Sequence, residues 1–298
     1  MLTPAQAPAV PEYVKYPDGR GLRRYDAPPQ NTKPKSVPVM TDSILCRREG
    51  PVATVTINRP EKRNALDSAS WRLLGDIFGE LSADESLRCV VVTGAGGKAF
   101  GSGNDITEFS TARANAGQVQ VYNAITGRAV QAIEDCLHPT VARIEGFCLG
   151  GGLEIALACD IRIANRSSRY GIPVKNMGIF LDPPLTDTLV HAVGRAVALE
   201  LVLEGRVYES ADAAARGLVT RVVDDEALDS AVAESVANIL AGAPLAARYN
   251  KRAVRGAATV STADEPALRR AAAYGDTEDY HAAYKAFLEK RKAEFKGR

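Results

Sequence analysis

The spacing of apolar and polar residues predicts strands that alternate with helices through the middle of the chain. Strict alternation indicates two strands joined by a turn at Gly50 and Pro51, and a continuous apolar run at 88–94 is typical of a strand covered on both faces. The predicted strands are residues 43–50, 52–60, 88–94, 140–146 and 160–165. Apolar residues at helical spacing predict helices over residues 64–81, 118–137 and 150–158. This order favours stacked βαβ-type units followed by a helical C-terminal third.

The two ends of the chain depart from that pattern. Residues 1–41 are rich in proline and polar groups and carry too little apolar surface to order alone, so we expect an extended or disordered arm. From about Ser210 helical spacing dominates, and residues 279–298 are amphipathic and basic at their end. Those charges fit either a solvated helix face or a basic tail that meets a phosphate or a neighbouring subunit. The predicted division is an arm at 1–41, a core at 42–235 and a helical C-terminal region at 236–298.

Composition argues against several classes of protein. The 298 residues are 46% hydrophobic and carry a formal net charge of +1, which gives no electrostatic reason to expect a nucleic acid or an anionic membrane as partner. No apolar run reaches the length of about 18 residues that a membrane-spanning helix needs. The five cysteines form no C-x-x-C pair, and the N-terminal stretch has neither the basic nor the apolar region of a signal peptide. We therefore expect a cytoplasmic protein with reduced cysteines.

The common nucleotide, nucleophile and metal motifs do not occur in the sequence. The glycines after the strand at 88–94 do not form G-x-G-x-x-G, and Lys98 is followed by Ala99 where a phosphate-binding loop needs serine or threonine. There is no G-x-S-x-G, and the histidines lie in no triad or metal-ligand pattern. The candidate chemistry is therefore that of carboxylates and backbone amides, with no metal site.

Two glycine-rich segments are candidates for that chemistry. Residues 99–106, AFGSGNDI, follow a predicted buried strand, and residues 149–154, LGGGLE, begin a predicted helix. Two backbone N–H groups that converge on one carbonyl oxygen form an oxyanion hole, and a helix N-terminus adds attraction for negative charge. Glycines also occur where two backbones pack closely, so each segment alone fits a packing turn equally well.

Five segments, in order, resemble the crotonase superfamily, also called the enoyl-CoA hydratase/isomerase superfamily. They are INRPEKRNAL at 57–66, GKAFGSGNDI at 97–106, EGFCLGGGLEIALACDIRIA at 145–164, GRVYESADAAARGLVTRVV at 205–223 and FLEKRKAEF at 287–295. The resemblance runs from about Ser43 to the C-terminus. It implies an α/β fold with a stacked ββα spiral core and C-terminal helices that assemble homotrimers or homohexamers. It also implies an acyl-CoA thioester as substrate, with coenzyme A as part of that substrate and no separate cofactor.

The resemblance assigns binding roles residue by residue. The backbone amides of Asn104 and Gly151 match the two oxyanion donors that stabilise the enolate of a CoA thioester in this family. The residues that match CoA contacts are Lys62, Asn64, Ala65, Asp105, Ile106 and Lys290. The matching family lysine often reaches CoA bound to a neighbouring subunit. We also expect Glu108 and Tyr122 to line the acyl pocket.

The carboxylates depart from the hydratase pattern. Glu154 matches the first of two glutamates with which hydratases handle water, although a glutamate near a helix N-terminus also stabilises the helix dipole. The second glutamate is replaced by Val174, which transfers no proton. Asp182 matches a functional aspartate of several relatives, and it also suits the turn before Pro183. We favour Glu154 and Asp182 as an acid–base pair.

The predicted function is enolate chemistry on an acyl-CoA thioester, giving hydration, dehydration or double-bond isomerisation. One alternative is hydrolysis of a C–C bond or a thioester by Asp182 and water. Another alternative is a CoA-binding or RNA-binding relative without turnover. The intact Gly-Gly-Gly-x-Glu run and the near-neutral net charge argue against that last interpretation.

Overall fold

The computed structural model describes residues 13–15, 22–24, 43–256 and 265–298. The first two segments are short strands, β1 (Tyr13–Lys15) and β2 (Leu22–Arg24), which pair antiparallel. The prediction of an extended or disordered arm at 1–41 otherwise falls outside the described residues.

A six-stranded sheet contains all the strands predicted from the sequence. Its members are β3 (Ile44–Glu49), β4 (Val52–Ile57), β5 (Cys89–Gly94), β7 (Thr140–Ile144), β9 (Ile161–Asn165) and β12 (Arg221–Val223). Their spatial order is β12-β9-β7-β5-β4-β3, with β3 and β4 antiparallel and the other neighbours parallel. The strand β12 was not predicted.

A second sheet contains four strands of three residues each. They are β6 (Ala99–Gly101), β8 (Phe147–Leu149), β10 (Arg169–Gly171) and β11 (Val207–Glu209), in the order β11-β10-β8-β6. The pairs β6–β8 and β8–β10 are parallel, and β10–β11 is antiparallel. Each of β5, β7 and β9 is followed by a strand of this second sheet and then by a helix. The chain therefore repeats a ββα unit, which confirms the α/β fold with a ββα spiral core.

The helices position the segments that follow the short strands. They are α1 (Ser68–Ala83), α2 (Phe109–Ala112), α3 (Ala116–Glu134), α4 (Gly151–Ala158), α5 (Pro183–Leu199), α6 (Ser210–Ala215), α7 (Leu228–Ala241), α8 (Pro244–Arg255), α9 (Glu265–Ala272) and α10 (Glu278–Leu288). The helix predicted from residue 64 begins only at Ser68, because Asp67 caps it by accepting a hydrogen bond of 2.8 Å from the Ser70 amide. Within the described segments no single helix is long and apolar enough to cross a membrane. Residues 225–241 and 244–255 reach that length and composition only together, across a bend of 108°.

The main core lies between one face of the six-stranded sheet and the helices α1, α3, α4 and α5. In β5, Val90 and Val92 belong to this core, whereas Cys89 and Val91 face the other side and pack against α7. Both faces of β5 are thus covered, which explains its uninterrupted apolar sequence. Every residue of α4 is buried, so packing on all sides holds the N-terminus of that helix in place.

The C-terminal region combines a helix attached by ion pairs with two helices that expose apolar surface. In α8, Lys251 and Arg255 contact the carboxylate of Asp160 at 2.8 and 2.7 Å. In α10, Phe287 and Leu288 are 81% and 75% exposed. The remaining exposed apolar residues of α9, α10 and the turn between them are Leu268, Tyr274, Tyr280 and Tyr284. Exposed apolar surface of this kind suits contact with another chain.

Candidate active site

Three parallel strands of the second sheet end at one edge, and the segments that follow them form a cleft. The strand β6 leads into the loop that carries Asn104, β8 leads into Gly151 at the start of α4, and β10 leads into the loop that carries Asp182. Because the neighbouring strands are parallel, their carboxyl ends meet side by side. The Gly150 amide also donates a hydrogen bond of 2.8 Å to the Gly171 carbonyl, which ties the second segment to the third.

The cleft brings together the residues that the sequence analysis matched to the oxyanion hole and to the acid–base pair. It contains about 820 Å³ of empty space, counting the part open to solvent, and is lined by Asn104, Gly151, Glu154 and Asp182. Val174, at the position of the second hydratase glutamate, lines it as well. Glu154 and Asp182 are the two acidic side chains on its wall, among the residues described. A space of this size is typical of a small-molecule site.

The main-chain amides of Asn104 and Gly151 are both available as donors. Asn104 pairs with Leu66 in a parallel bridge, in which the Leu66 amide donates to Gly103 and the Asp105 amide donates to Leu66, both at 2.8 Å. This pairing directs the N–H of Asn104 away from Leu66. Gly151 is the first residue of α4, where an N–H has no acceptor within the helix. Neither amide donates a hydrogen bond to any residue in the described part of the chain.

Trp71 of α1 contacts both Asn104 and Gly151. Its indole nitrogen donates a hydrogen bond of 2.8 Å to the side-chain oxygen of Asn104. The ring is fully buried, and a Cβ built on Gly151 would lie only 2.7 Å from the ring carbon Cζ2. A single rigid side chain therefore fixes the spacing between the two segments that present the amides. From the sequence, Trp71 could be read only as a core residue of α1.

Packing inside the protein accounts for the run of three glycines. A Cβ on Gly152 would lie 2.2 Å from the Gly101 carbonyl oxygen, a contact that backbone atoms do not allow. Gly150 has a positive φ of 51°, which favours glycine. The backbones at Gly101 and Gly152 therefore pack closely, and this packing requires glycine whether or not a ligand binds at the same edge. Of the two interpretations that the sequence left open for this segment, close packing is therefore the one that these contacts show.

Glu154 is a buried acid on the wall of the cleft. It is 7% exposed, and its carboxylate accepts no hydrogen bond from the residues that the structure describes. Burial, and after it the negative charge of Asp182, raises the pKa of Glu154 to about 8, against an opposing effect of the Arg113 charge. The side chain is therefore mostly protonated at neutral pH. A neutral carboxyl does not stabilise a helix dipole, but it can donate a proton.

Asp182 combines a structural contact with a place on the cleft wall. It is the N-cap of α5, and its carboxylate accepts a hydrogen bond of 3.1 Å from the Leu185 amide. Burial raises the pKa of Asp182 above its ordinary value, although this hydrogen bond and the charge of Arg113 act in the opposite direction. The turn position and the cleft position expected for this residue are therefore both observed.

Arg113 is a cleft residue that the sequence analysis missed. It lies between α2 and α3 and lines the same wall region as the two carboxylates. Its guanidinium carbon is 4.8 Å from the ring centre of Phe109 and 5.0 Å from that of Tyr122. A single arginine in a segment without regular spacing carries no sequence pattern that would have identified it.

Two of the residues matched to CoA contacts form an ion pair beside the cleft. Lys62 and Arg59 both contact the same carboxylate oxygen of Asp105 at 2.9 Å. Burial alone would raise the pKa of Asp105, but hydrogen bonds from Lys62, Thr107 and Arg59 outweigh it and hold that pKa well below its ordinary value. Asp105 is thus a permanently charged anchor for the lysine.

The other residues matched to CoA contacts differ in exposure. Asn64 is fully buried with a positive φ of 57°, and its side chain donates to the Ala99 carbonyl at 2.6 Å, so it supports the loop and offers no surface to a ligand. Ala65 is nearly buried, whereas Ile106 is 59% exposed and lines the cleft. Lys290 is exposed just beyond α10 and is not on this chain's cleft wall. Its contact with CoA on a neighbouring subunit stays a prediction.

The residues expected in the acyl pocket, Glu108 and Tyr122, do not line the cleft. The Glu108 carboxylate accepts hydrogen bonds of 2.8 and 3.1 Å from the amide and hydroxyl of Ser68, at the start of α1. Tyr122 is 2% exposed and lies under Arg113. That expectation is wrong, because both side chains hold neighbouring elements together.

Similarity to known proteins agrees with this fold. The family model for enoyl-CoA hydratase/isomerase matches residues 47–298. The chain is 34% identical over 261 residues to a short-chain-enoyl-CoA hydratase of Clostridium acetobutylicum, covering 86% of this chain and 99% of that protein. It is 33% identical to an (E)-benzylidenesuccinyl-CoA hydratase of Thauera aromatica, covering 83% and 96%. The crystal structure of an enoyl-CoA hydratase/carnithine racemase from Magnetospirillum magneticum matches with a TM-score of 0.84 and 41% identity, covering 87% of this chain and 97% of that one. The chain therefore belongs to the enoyl-CoA hydratase/isomerase family of enzymes, within the crotonase superfamily.

Proposed function

We propose that this enzyme binds an enoyl-CoA thioester in the cleft and adds water to it, or moves its double bond, through an enolate of the thioester. One observation carries the proposal: two backbone amides that have no acceptor among the described residues line the same space as two carboxylates of raised pKa. No separate cofactor takes part, because coenzyme A is covalently part of the substrate.

The amides of Asn104 and Gly151 act as the oxyanion hole. In the enolate, negative charge gathers on the thioester oxygen, and two preorganised N–H donors stabilise it more than they stabilise the neutral carbonyl. The N-terminus of α4 adds the positive end of its dipole at Gly151. Lys62, Ala65, Asp105 and Ile106 lie beside this edge as the contact region for the rest of the CoA.

Glu154 and Asp182 transfer the protons. Asp182 takes a proton from water, whose oxygen bonds to the β-carbon while the electron pair of the double bond moves to the thioester oxygen. Glu154, protonated at neutral pH, then donates its proton to the α-carbon and the carbonyl re-forms. Val174 stands where hydratases carry their second catalytic glutamate. In this proposal Asp182 takes over the proton transfer of that glutamate.

The decisive experiment supplies a panel of enoyl-CoA thioesters in water labelled with heavy oxygen and follows the products by mass spectrometry. Hydration places one labelled oxygen on the acyl chain, and isomerisation places none but changes the position of the double bond. Label in a released carboxylate together with free CoA thiol would instead establish thioester hydrolysis and overturn the proposal. Unchanged substrate throughout, with tight binding, would identify a relative without turnover.

We further propose that the C-terminal helices assemble the chain into a trimer, or a hexamer of two trimers. The support is the exposed apolar surface of α10, where Phe287 and Leu288 have no cover within the described chain. Light scattering at micromolar concentration should give the mass of three or six chains. The variant Phe287→Ser should dissociate the assembly, whereas a monomeric mass for the unmodified protein would contradict the proposal.

A further inference from the structure

Arg113 is the one cationic side chain on the cleft wall, among the residues described. Its neighbours on that wall are largely apolar, including Ile106, Phe109, Ile179 and Leu181. An arginine in such surroundings keeps its charge and loses part of its hydration, so it favours an anionic partner. No acidic residue in the described part of the chain forms an ion pair with Arg113.

The guanidinium is held in place but uses few of its donors. Two aromatic rings, those of Phe109 and Tyr122, lie within 5.0 Å of its carbon and stack in an edge-to-face pair with each other. One of its nitrogens donates a hydrogen bond of 3.3 Å to the side-chain oxygen of Asn123. A guanidinium carries five N–H donors, so most of them remain available for a ligand.

The carboxylates of the cleft do not use these donors. Arg113 lies close enough to lower the pKa of both Glu154 and Asp182, yet no salt bridge of 4.0 Å or less joins it to either of them or to any other described acid. A residue that served only to neutralise Asp182 would be expected to lie in direct contact with it. The guanidinium instead lies against the rings of Phe109 and Tyr122, in the same cleft as the acid–base pair.

We propose that Arg113 binds a second carboxylate on the acyl group, so that the substrates of this enzyme are CoA monothioesters of unsaturated dicarboxylic acids. The proposal rests on the proposed function, since it places the acyl group in the cleft. The oxyanion amides take the thioester end, the apolar wall takes the carbon chain, and the planar guanidinium takes the far carboxylate through paired hydrogen bonds.

Binding of saturated analogues tests this without turnover. The two matched pairs are adipyl-CoA with hexanoyl-CoA, and suberyl-CoA with octanoyl-CoA, which differ by a carboxylate in place of a methyl group. By titration calorimetry the unmodified enzyme should bind at least one acidic member about 10- to 100-fold more tightly than its neutral partner. Arg113→Gln should abolish that preference with little change for the neutral esters, and Arg113→Lys should keep only part of it.

A matched control is Arg128→Gln, which removes an equal charge from an exposed position of α3, where Arg128 pairs with Asp76 at the surface. Arg128→Gln should leave the preference for the acidic ester unchanged in both matched pairs. Equal binding of acidic and neutral esters by the unmodified enzyme would overturn the proposal, and so would an equal loss for both esters in Arg113→Gln.

Exchange of the α-hydrogens of the same esters with heavy water reports enolate formation separately. Exchange without a preference for the acidic ester would contradict the role of Arg113 and leave the proposed function standing. A preference without exchange would support the role of Arg113 and count against the proposed function.

Discussion

The indole nitrogen of Trp71 donates a hydrogen bond of 2.8 Å to the side-chain oxygen of Asn104, a residue on a different element 33 positions further along the chain. The same ring lies against Gly151. The two amides proposed as oxyanion donors therefore share one brace, whose buried position prevents water from replacing it. A change on either side of this hydrogen bond is expected to act on catalysis through geometry.

Trp71→Phe keeps an aromatic ring and removes the N–H, while Asn104→Ala removes the acceptor and keeps the backbone amide. Each should lower kcat about 5- to 10-fold, the scale of one neutral hydrogen bond, with a smaller change in the affinity for a saturated CoA ester. Steady-state kinetics and calorimetry give the two quantities. The double variant should be no slower than the worse single variant, because both remove the same interaction. Fully multiplicative losses would show that the two residues act independently.

Gly151→Ala should be rescued by a change in Trp71. The new methyl group would lie 2.7 Å from Cζ2, an atom that phenylalanine lacks. We therefore expect Gly151→Ala alone to lower the free energy of unfolding, and the added Trp71→Phe to restore part of it in urea titrations. Gly152→Ala serves as the contrast, since its methyl group meets the Gly101 backbone 2.2 Å away and Trp71→Phe offers it no relief. If Trp71→Phe restored the stability of both alanine variants equally, the loss in Gly151→Ala would not come from a clash with Trp71.

Variants of Asp182 separate capping from proton transfer. Asparagine caps a helix about as well as aspartate but transfers no proton, so Asp182→Asn should lower kcat about 10²- to 10⁴-fold and leave stability nearly unchanged. Asp182→Ala should add a loss of about 1 kcal/mol in the free energy of unfolding. Kinetics and urea titrations on the two variants distinguish the effects. If Asp182→Asn turned over normally, Asp182 would be a cap alone, and Glu154 would act as a single acid or base.

The raised pKa of Glu154 predicts a cost in stability that grows with pH. The folded protein holds this proton up to about pH 8, whereas the unfolded chain releases it near the ordinary value of 4.5. The unfolded state therefore binds fewer protons between these values, and the free energy of unfolding contributed by this group falls as pH rises through that window.

Glu154→Gln removes the ionisation, so its stability relative to the unmodified enzyme should increase from pH 4.5 to pH 8. Urea titrations at constant protein concentration measure the difference. The exposed Glu234 of α7 provides a control, because Glu234→Gln should show no such trend. A stability difference for Glu154→Gln that is the same at both ends of this pH window would contradict the buried, protonated state.

The large sheet and the cleft residues were predictable for different reasons. Apart from the three-residue strand β12, the strands of the large sheet carry strong alternation or continuous apolar runs. Asn104, Gly151, Glu154 and Asp182 stand in recognisable motifs. The strands of the second sheet escaped prediction because three residues show no period. A further helix start was present but overlooked: Asp182 followed by two prolines is a typical cap and first turn, and α5 begins there.

Residues whose role depends on contacts with distant parts of the chain could not be identified from the sequence. Trp71 occupies an ordinary core position of an amphipathic helix, and nothing local links it to Asn104 or Gly151. Arg113 lies between two helices, and its place on the cleft wall depends on how α2 and α3 pack. Both assignments need the assembled fold, because tertiary packing alone decides which side chains meet.

The three segments that border the cleft come from three successive ββα units, and each supplies a different part of the chemistry. In the proposed function the first two units carry the amides that activate the thioester, and the second also carries the proton donor Glu154. The third, through residues 172–182, carries Asp182 and the replaced position Val174. The partner of Glu154 in proton transfer can therefore diverge during evolution without a change in the segments that activate the thioester. A library that varies residues 172–182 should yield new reactions on CoA esters more often than one that varies 99–106, where Gly101 and Gly103 pack closely against the glycines at the start of α4.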